Sequence, residues 1–428
     1  MSRTFASFSH RNYRWFISGQ AVTNIGTWMQ RIAQDWLVLE VTHGNAVALG
    51  LVTALQFLPF LLLTPFTGVV ADRFSRRAVL MVTGAAGGTA AAALAVTTMA
   101  GATTLGVILA AGAVLGVASA FDHPARQALL GELVGPDELR NAVALNGATF
   151  NMARIVGPAL AGLGIAALGT GPVFAVNAAS FAVAVWTLTR LRSADFHLVA
   201  RSAERVTFTA GLRYLRSRSD LVFVILAVAL AAVFAFNFAL TTALMATAEF
   251  DRGAAEYGLL GTSLALGSIT GSLLAARRRA PIDLRYVFAA GVAFGLVTAT
   301  AGLMPNYLTF VLFLPLAGLT ALTFSIGAQS YLQLHTDPGM RGRVMGFYAL
   351  VFFGSNPVGA PLLGWISMQF GPRWALIGGG LLAAAALTLL SLWAAHRGIF
   401  AAGRAVAIRA VDEDGGDEQR ERKPVRVG

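Results

Sequence analysis

Twelve apolar runs alternate with short polar links along this chain of 428 residues. They lie near 14–39, 46–70, 78–100, 102–123, 141–167 and 170–191, then near 220–248, 255–276, 284–304, 307–331, 343–369 and 374–396. An apolar stretch of about 20 residues crosses a bilayer as a helix. The pattern predicts an all-α membrane protein with twelve transmembrane helices. Several runs are rich in Ala and Gly, which lets such helices approach closely.

Composition narrows the function. Hydrophobic residues make up 56% of the chain and charged ones 12%, where a soluble domain carries roughly twice that charge. With no Cys, disulfides and thiolate metal sites are excluded, and His123 lacks neighbours at metal-ligand spacing. Neither a phosphate-cradling Gly loop nor a nucleophile elbow occurs. The chain is therefore expected to be no enzyme and to need no metal or cofactor. Its N-terminus, MSRTFASFSHRNYRWF, lacks the short apolar core and cleavage site of a removable signal.

The net charge of +11 would suit a nucleic-acid partner, but its placement argues for topology. With the N-terminus inside, 28 of the 32 basic residues fall on the cytoplasmic side. Arg252 and Arg373 lie opposite, and Arg31 and Arg154 lie within spans. The positive-inside rule then sets both termini in the cytoplasm, with the chain multi-pass in the cell membrane, a bacterial inner membrane, and no nucleic acid as partner.

A shift of 202 residues superposes one half on the other. It sets Arg14 on Arg216, Asp35 on Asn237, Gln127 on Gln329, Pro136 on Pro338, Gly157 on Gly359 and Gly162 on Gly364. One constant offset at so many landmarks indicates duplication into two parallel six-helix bundles, an arrangement transporters use. The expected division is 1–191, an N-terminal bundle; 192–219, a cytoplasmic linker with an amphipathic helix over 208–218; 220–397, a C-terminal bundle; and 398–428, a disordered cytoplasmic tail.

The link between the second and third runs reads GVVADRFSRR over Gly68–Arg77. It resembles the loop between helices 2 and 3 of the major facilitator superfamily, with Ser75 where the family has Gly and Val70 where it has Leu. RNYRWFISGQAVTNIGTWMQRIAQDWLVLEVT at 11–42, FDHPARQALLGELVGPDELRNAVALN at 121–146 and TDPGMRGRVMGFYALVFFGSNPVGAPLLGW at 336–365 are similar to the bacterial efflux branch of macrolide and enterobactin exporters. The resemblance reaches from residue 11 to about 365 and implies the major facilitator fold.

Within the spans, Gln20, Asn24, Thr27, Arg31, Gln34 and Asp35 fall on about a third of the first helix. Polar groups at membrane depth are costly and face the bundle interior or a wet cavity. Arg31 and Asp35, at i and i+4, can merely neutralise one another, or Asp35 is a proton-linked carboxylate that Arg31 tunes. The fifth span sets Gly147, Asn151, Arg154 and Pro158 on one face, with Asp35 a possible partner for Arg154. IVGPALAG (Gly157, Pro158, Gly162) resembles the superfamily's antiporter signature. SNPVGAPLLG (Pro357, Gly359, Pro361, Gly364) is its counterpart, and both can equally be packing or kink elements. Asn237 and Gln329 are further cavity candidates in the second half, where no deep acid occurs.

At the cytoplasmic ends, Gly68, Asp72, Arg73, Arg76 and Arg77 form a membrane-surface anchor or a one-sided latch, and Asp122, Arg126, Arg341 and Arg343 are solvated loop charges or part of a network closing a gate. Position 274, where Asp72 would repeat, is Leu274, so the acid belongs to one half only. The expectation is a secondary transporter working by alternating access. The resemblance gives it a direction: export of a small amphipathic compound, a drug, macrolide or siderophore-like molecule, by proton antiport. Protons, the small molecule and the lipid bilayer are its expected partners, and a monomer its expected state. Uptake by the same fold, or a non-transporting sensor or assembly role, are the alternatives.

Overall fold

The computed structural model describes residues 3–197, 208–278 and 282–400. The side chains of Gly68, Asp72 and Asp137, and the tail from residue 401, lie outside what it describes. Among the described residues every regular element is helical. The first set is α1 (Arg11–Val41), α2 (Ala46–Arg73), α3 (Arg76–Met99), α4 (Leu105–Pro136), α5 (Glu138–Leu168) and α6 (Thr170–Thr189). A short helix α7 (Phe208–Ser217) precedes the second set: α8 (Ser219–Glu249), α9 (Ala254–Arg277), α10 (Leu284–Ala301), α11 (Tyr307–Leu334), α12 (Pro338–Phe370) and α13 (Pro372–His396). Eleven of these are long and apolar enough to cross a membrane. The 31-residue α1 is long enough but carries the polar stripe, and with it the count is consistent with twelve spans.

The apolar pattern ends the fourth run near 123 and predicts a polar loop after it. Instead α4 continues to Pro136. Ala125, Leu129, Leu130, Leu133 and Val134 return at helical spacing and bury against Tyr13, Phe16, Ile17 and Leu80, so Asp122, Arg126 and Glu132 lie half-buried on a helix rather than in a loop. Gly135 then takes φ 73, a left-handed backbone that suits glycine and breaks the run just before α5.

Two spans are broken. In α8 the helix stops at Phe234 and resumes at Phe238. Asn237 Nδ2 donates to the freed carbonyls of Ala232 and Val233, at 3.1 and 3.0 Å. In α12 the break is at Ser355. Pro357 cannot donate to Phe353 O, and Asn356 Nδ2 does so instead at 3.3 Å. The repeat recurs in the turns: Gly169 (φ 83) and Gly371 (φ 99) lie 202 residues apart and join the last two helices of each set.

One core cluster draws on both sets. It holds Leu37, Leu49, Leu94 and Phe174 with Leu244, Leu260, Phe310 and Leu363, at the end away from the chain termini. At the termini end there are two separate clusters, one around Tyr13 and Leu129 and one around Leu221 and Tyr331. The sets therefore meet at one end and part at the other. Phe236 contacts both Phe324 and Phe352 inside the second set's cluster, while Phe353 stacks on Phe57 of α2 at 6.1 Å.

Candidate functional site

The polar stripe of α1 is divided by its neighbours. Gln20 is buried and donates to Asn24 Oδ1 at 2.8 Å. Gln34 is buried with its amide nitrogen unpaired. Thr27 and Arg31 are exposed in mid-helix, where α4, α5 and α6 pack along α1, so they face the opening between the sets. Arg31 reaches the rings of Trp28 at 5.1 Å and Phe57 at 5.7 Å.

Asp35 lies six residues from the end of α1, about 9 Å along the axis, at the closed end. It is 6% exposed. Its partner is Tyr257 of α9, fully buried, whose hydroxyl donates to Asp35 Oδ2 at 2.9 Å. No ion pair joins Asp35 to Arg31 or to Arg154 among the described residues. Asp35 thus bonds across the two sets rather than along its own helix. A hydrogen bond to an ionised carboxylate contributes roughly 1.5–3 kcal/mol, and burial removes competing water.

Arg154, near the middle of α5, donates to Ser268 Oγ of α9 at 3.0 Å and lies 5.9 Å from the ring of Trp28. Asn151 bonds its own helix at Gly147 O, 3.0 Å away. Gln329 donates to Tyr348 Oη at 3.0 Å, and Asn237 caps the break in α8. The structure brings Arg31 and Arg154 to one ring, and leaves Asn237 and Gln329 in the second set.

The glycines of the two signatures hold paired places. A Cβ on Gly157 would lie 2.5 Å from Trp28 Cβ, and one on Gly359 would lie 2.3 Å from Val233 O, so each fits its helix against the first span of its own set. Gly162 and Gly364 face the opposite set at Ala254 O and Ala46 O. Gly258 and Gly50 complete those two crossings at Pro158 O and Ala360 O. Pro158 thus lines the crossing to α9, Pro357 the break in α12, and Pro361 packs against Gly50.

At the termini end the charges pair within one set. Arg76 pairs with Glu132, and Arg126 Nε donates to Asp122 Oδ2 at 2.8 Å. Arg77 donates to the carbonyls of Thr189 and Leu191, and Arg73 is exposed. Arg341 donates to Thr336 O at 3.2 Å, and Arg343 packs under Gly211 of α7. Next to α7, Arg218 donates to both oxygens of Asp220, which raises its pKa. Two side chains of the site carry no signal in the sequence. Tyr257 follows Glu256 at the start of an apolar run, where a lone tyrosine gives no sign of a partner 222 positions away. Trp28, three residues before Arg31, is legible there only as one more apolar residue.

The family described as transmembrane secretion effectors matches residues 2–405. The staphyloferrin A transporter of Staphylococcus aureus (strain NCTC 8325 / PS 47) is 31% identical over 173 residues, 40% of this chain and 43% of that relative. The chain thus spans less than half the length of that relative. The enterobactin exporter EntS of Shigella boydii serotype 4 (strain Sb227) is 27% identical over 367 residues, 83% of each chain. A solved bacterial homologue of the iron transporter ferroportin, in its inward-facing state, superposes with a TM-score of 0.69 at 18% identity, over 89% of this chain and 98% of that one. At that identity the likeness is one of fold.

Proposed function

This chain belongs to the transmembrane secretion effectors of the major facilitator superfamily, and we propose that this transporter exports a small amphipathic compound by alternating access, in exchange for protons. The termini end is cytoplasmic in this reading, as the arginine distribution supports, so the state described here is open to the cytoplasm. Residues 1–191 and 220–397 rock as two units about the linker at 192–219, in a single copy of the chain.

One observation carries the reading: the buried bond from Tyr257 to Asp35, which joins the units at their closed end. With this end shut Asp35 is buried away from the outer side, so in this reading any proton it gives up leaves inward. Opening that end breaks the bond and lets Asp35 take a proton from outside. Proton entry and substrate exit then share one residue. At the other end, Asp72, Arg73, Asp122 and Arg126 meet Arg341 and Arg343 when the cytoplasmic gate closes.

Flux in proteoliposomes with an imposed pH gradient tests this. Substrate or dye leaving the compartment that faces the termini, and stopping with an uncoupler, is the expected result. Flux in the opposite direction would make the chain an importer, and none across a broad panel a non-transporter.

A further inference from the structure

Arg31 and Arg154 are the basic residues set deep in the spans, and their guanidinium carbons both lie within the about 6 Å reach of a cation–π contact with Trp28. Neither has a carboxylate in ion-pair range among the described residues. Ser268 supplies Arg154 with one neutral bond. The nearest acid on the same helix as Arg31, Asp35, is engaged by Tyr257. Two cations converging at membrane depth with no carboxylate in ion-pair contact are costly.

Packing does not explain them. The residues that shape the fold recur at 202 positions: Gly157 with Gly359, Gly162 with Gly364, Gly169 with Gly371. The counterparts of Arg31 and Arg154 are Val233 and Asn356. The charge belongs to one half only.

Resting on the export reading above, we propose that Arg31 and Arg154 bind the carboxylate of an anionic, aromatic or apolar substrate against Trp28. Guanidinium groups present paired donors that match a carboxylate. Trp28, with Phe57 beside Arg31 and Phe150 edge-on at 5.8 Å, forms an apolar wall for the rest of the molecule. A carboxylate bound between them offsets one of the two positive charges and screens their mutual repulsion.

The test is calorimetric titration of the full chain in lipid nanodiscs with naphthoate, and with the uncharged naphthamide, after subtraction of empty discs. Naphthoate is expected to bind saturably, more weakly as salt is raised, and better than the amide. Arg31→Gln and Arg154→Gln are each expected to lower its affinity by about tenfold or more. Should Arg31→Gln fail to fold, Arg31→Lys and Arg154→Gln carry the test. Equal affinity for acid and amide, no binding by the native chain, or a preference for the acid undiminished in Arg154→Gln overturns the site. Binding is read without a gradient, so the direction of transport can fail while this site stands, and the site can fail while export stands.

Discussion

Gly162 and Gly364 stand 202 residues apart and do the same thing: each lets its helix touch the first residue of a helix in the other set. A Cβ on Gly162 would lie 2.7 Å from Ala254 O, and one on Gly364 would lie 2.4 Å from Ala46 O. Both obstacles are backbone, which cannot rotate away. The closed end of the molecule is two copies of one glycine crossing.

That gives a first prediction. Gly364→Ala overfills its crossing, at a cost of about 1–3 kcal/mol confined to the state in which this end is shut. The population should shift toward opening there, with slower transport. A Cβ on Gly378 would meet nothing within 4 Å, so Gly378→Ala should leave both unchanged. Spin labels on Ala102→Cys and Leu303→Cys can read the distance across that end, because the chain has no cysteine of its own.

Tyr257→Phe removes the donor to Asp35 and keeps the ring. Losing a bond of roughly 1.5–3 kcal/mol to a carboxylate should move the balance away from the state described here by about tenfold or more. The same label pair should show the longer distance gaining population. An unchanged distribution would show that the glycine crossings alone hold this end shut.

Asp35→Asn keeps the size of the side chain and removes its charge. Substrate binding should persist, while flux driven by a pH gradient should fall to near the uncoupled level and lose its dependence on pH. Counterflow without a gradient separates the two effects. Transport that keeps its normal pH response in Asp35→Asn would remove Asp35 from the coupling.

Asp72→Asn concerns the other end. It should slow turnover while leaving substrate affinity intact, since the acid is proposed to act only when the cytoplasmic gate shuts. Initial rates measured beside equilibrium binding decide it: equal loss of both would mean that Asp72 serves binding or folding.

The spans were legible in the amino-acid string because they depend on periodicity and length along one chain, and the family was legible through the resemblance that stretches such as Gly68–Arg77 carry. Twelve apolar runs and the offset of 202 residues can be counted without coordinates. So can the sidedness expected from the arginines. Gly157, Gly162, Gly359 and Gly364 stand at paired positions in the sequence, whereas Gly50 and Gly258 do not. Local patterning misleads in one place: the charges after Phe121 look like a loop, whereas the apolar residues among them continue α4 as far as Gly135.

The partners of the polar residues could come only from the folded molecule. Arg31 and Asp35, four apart on one helix, invite pairing with each other. Instead Asp35 meets Tyr257 from the other set and Arg31 meets the ring shared with Arg154. A buried carboxylate takes the best donor in reach, and which donor that is depends on how two helices cross. No spacing within a helix encodes that crossing; it is fixed where Gly50, Gly162, Gly258 and Gly364 let the backbones of the two halves touch.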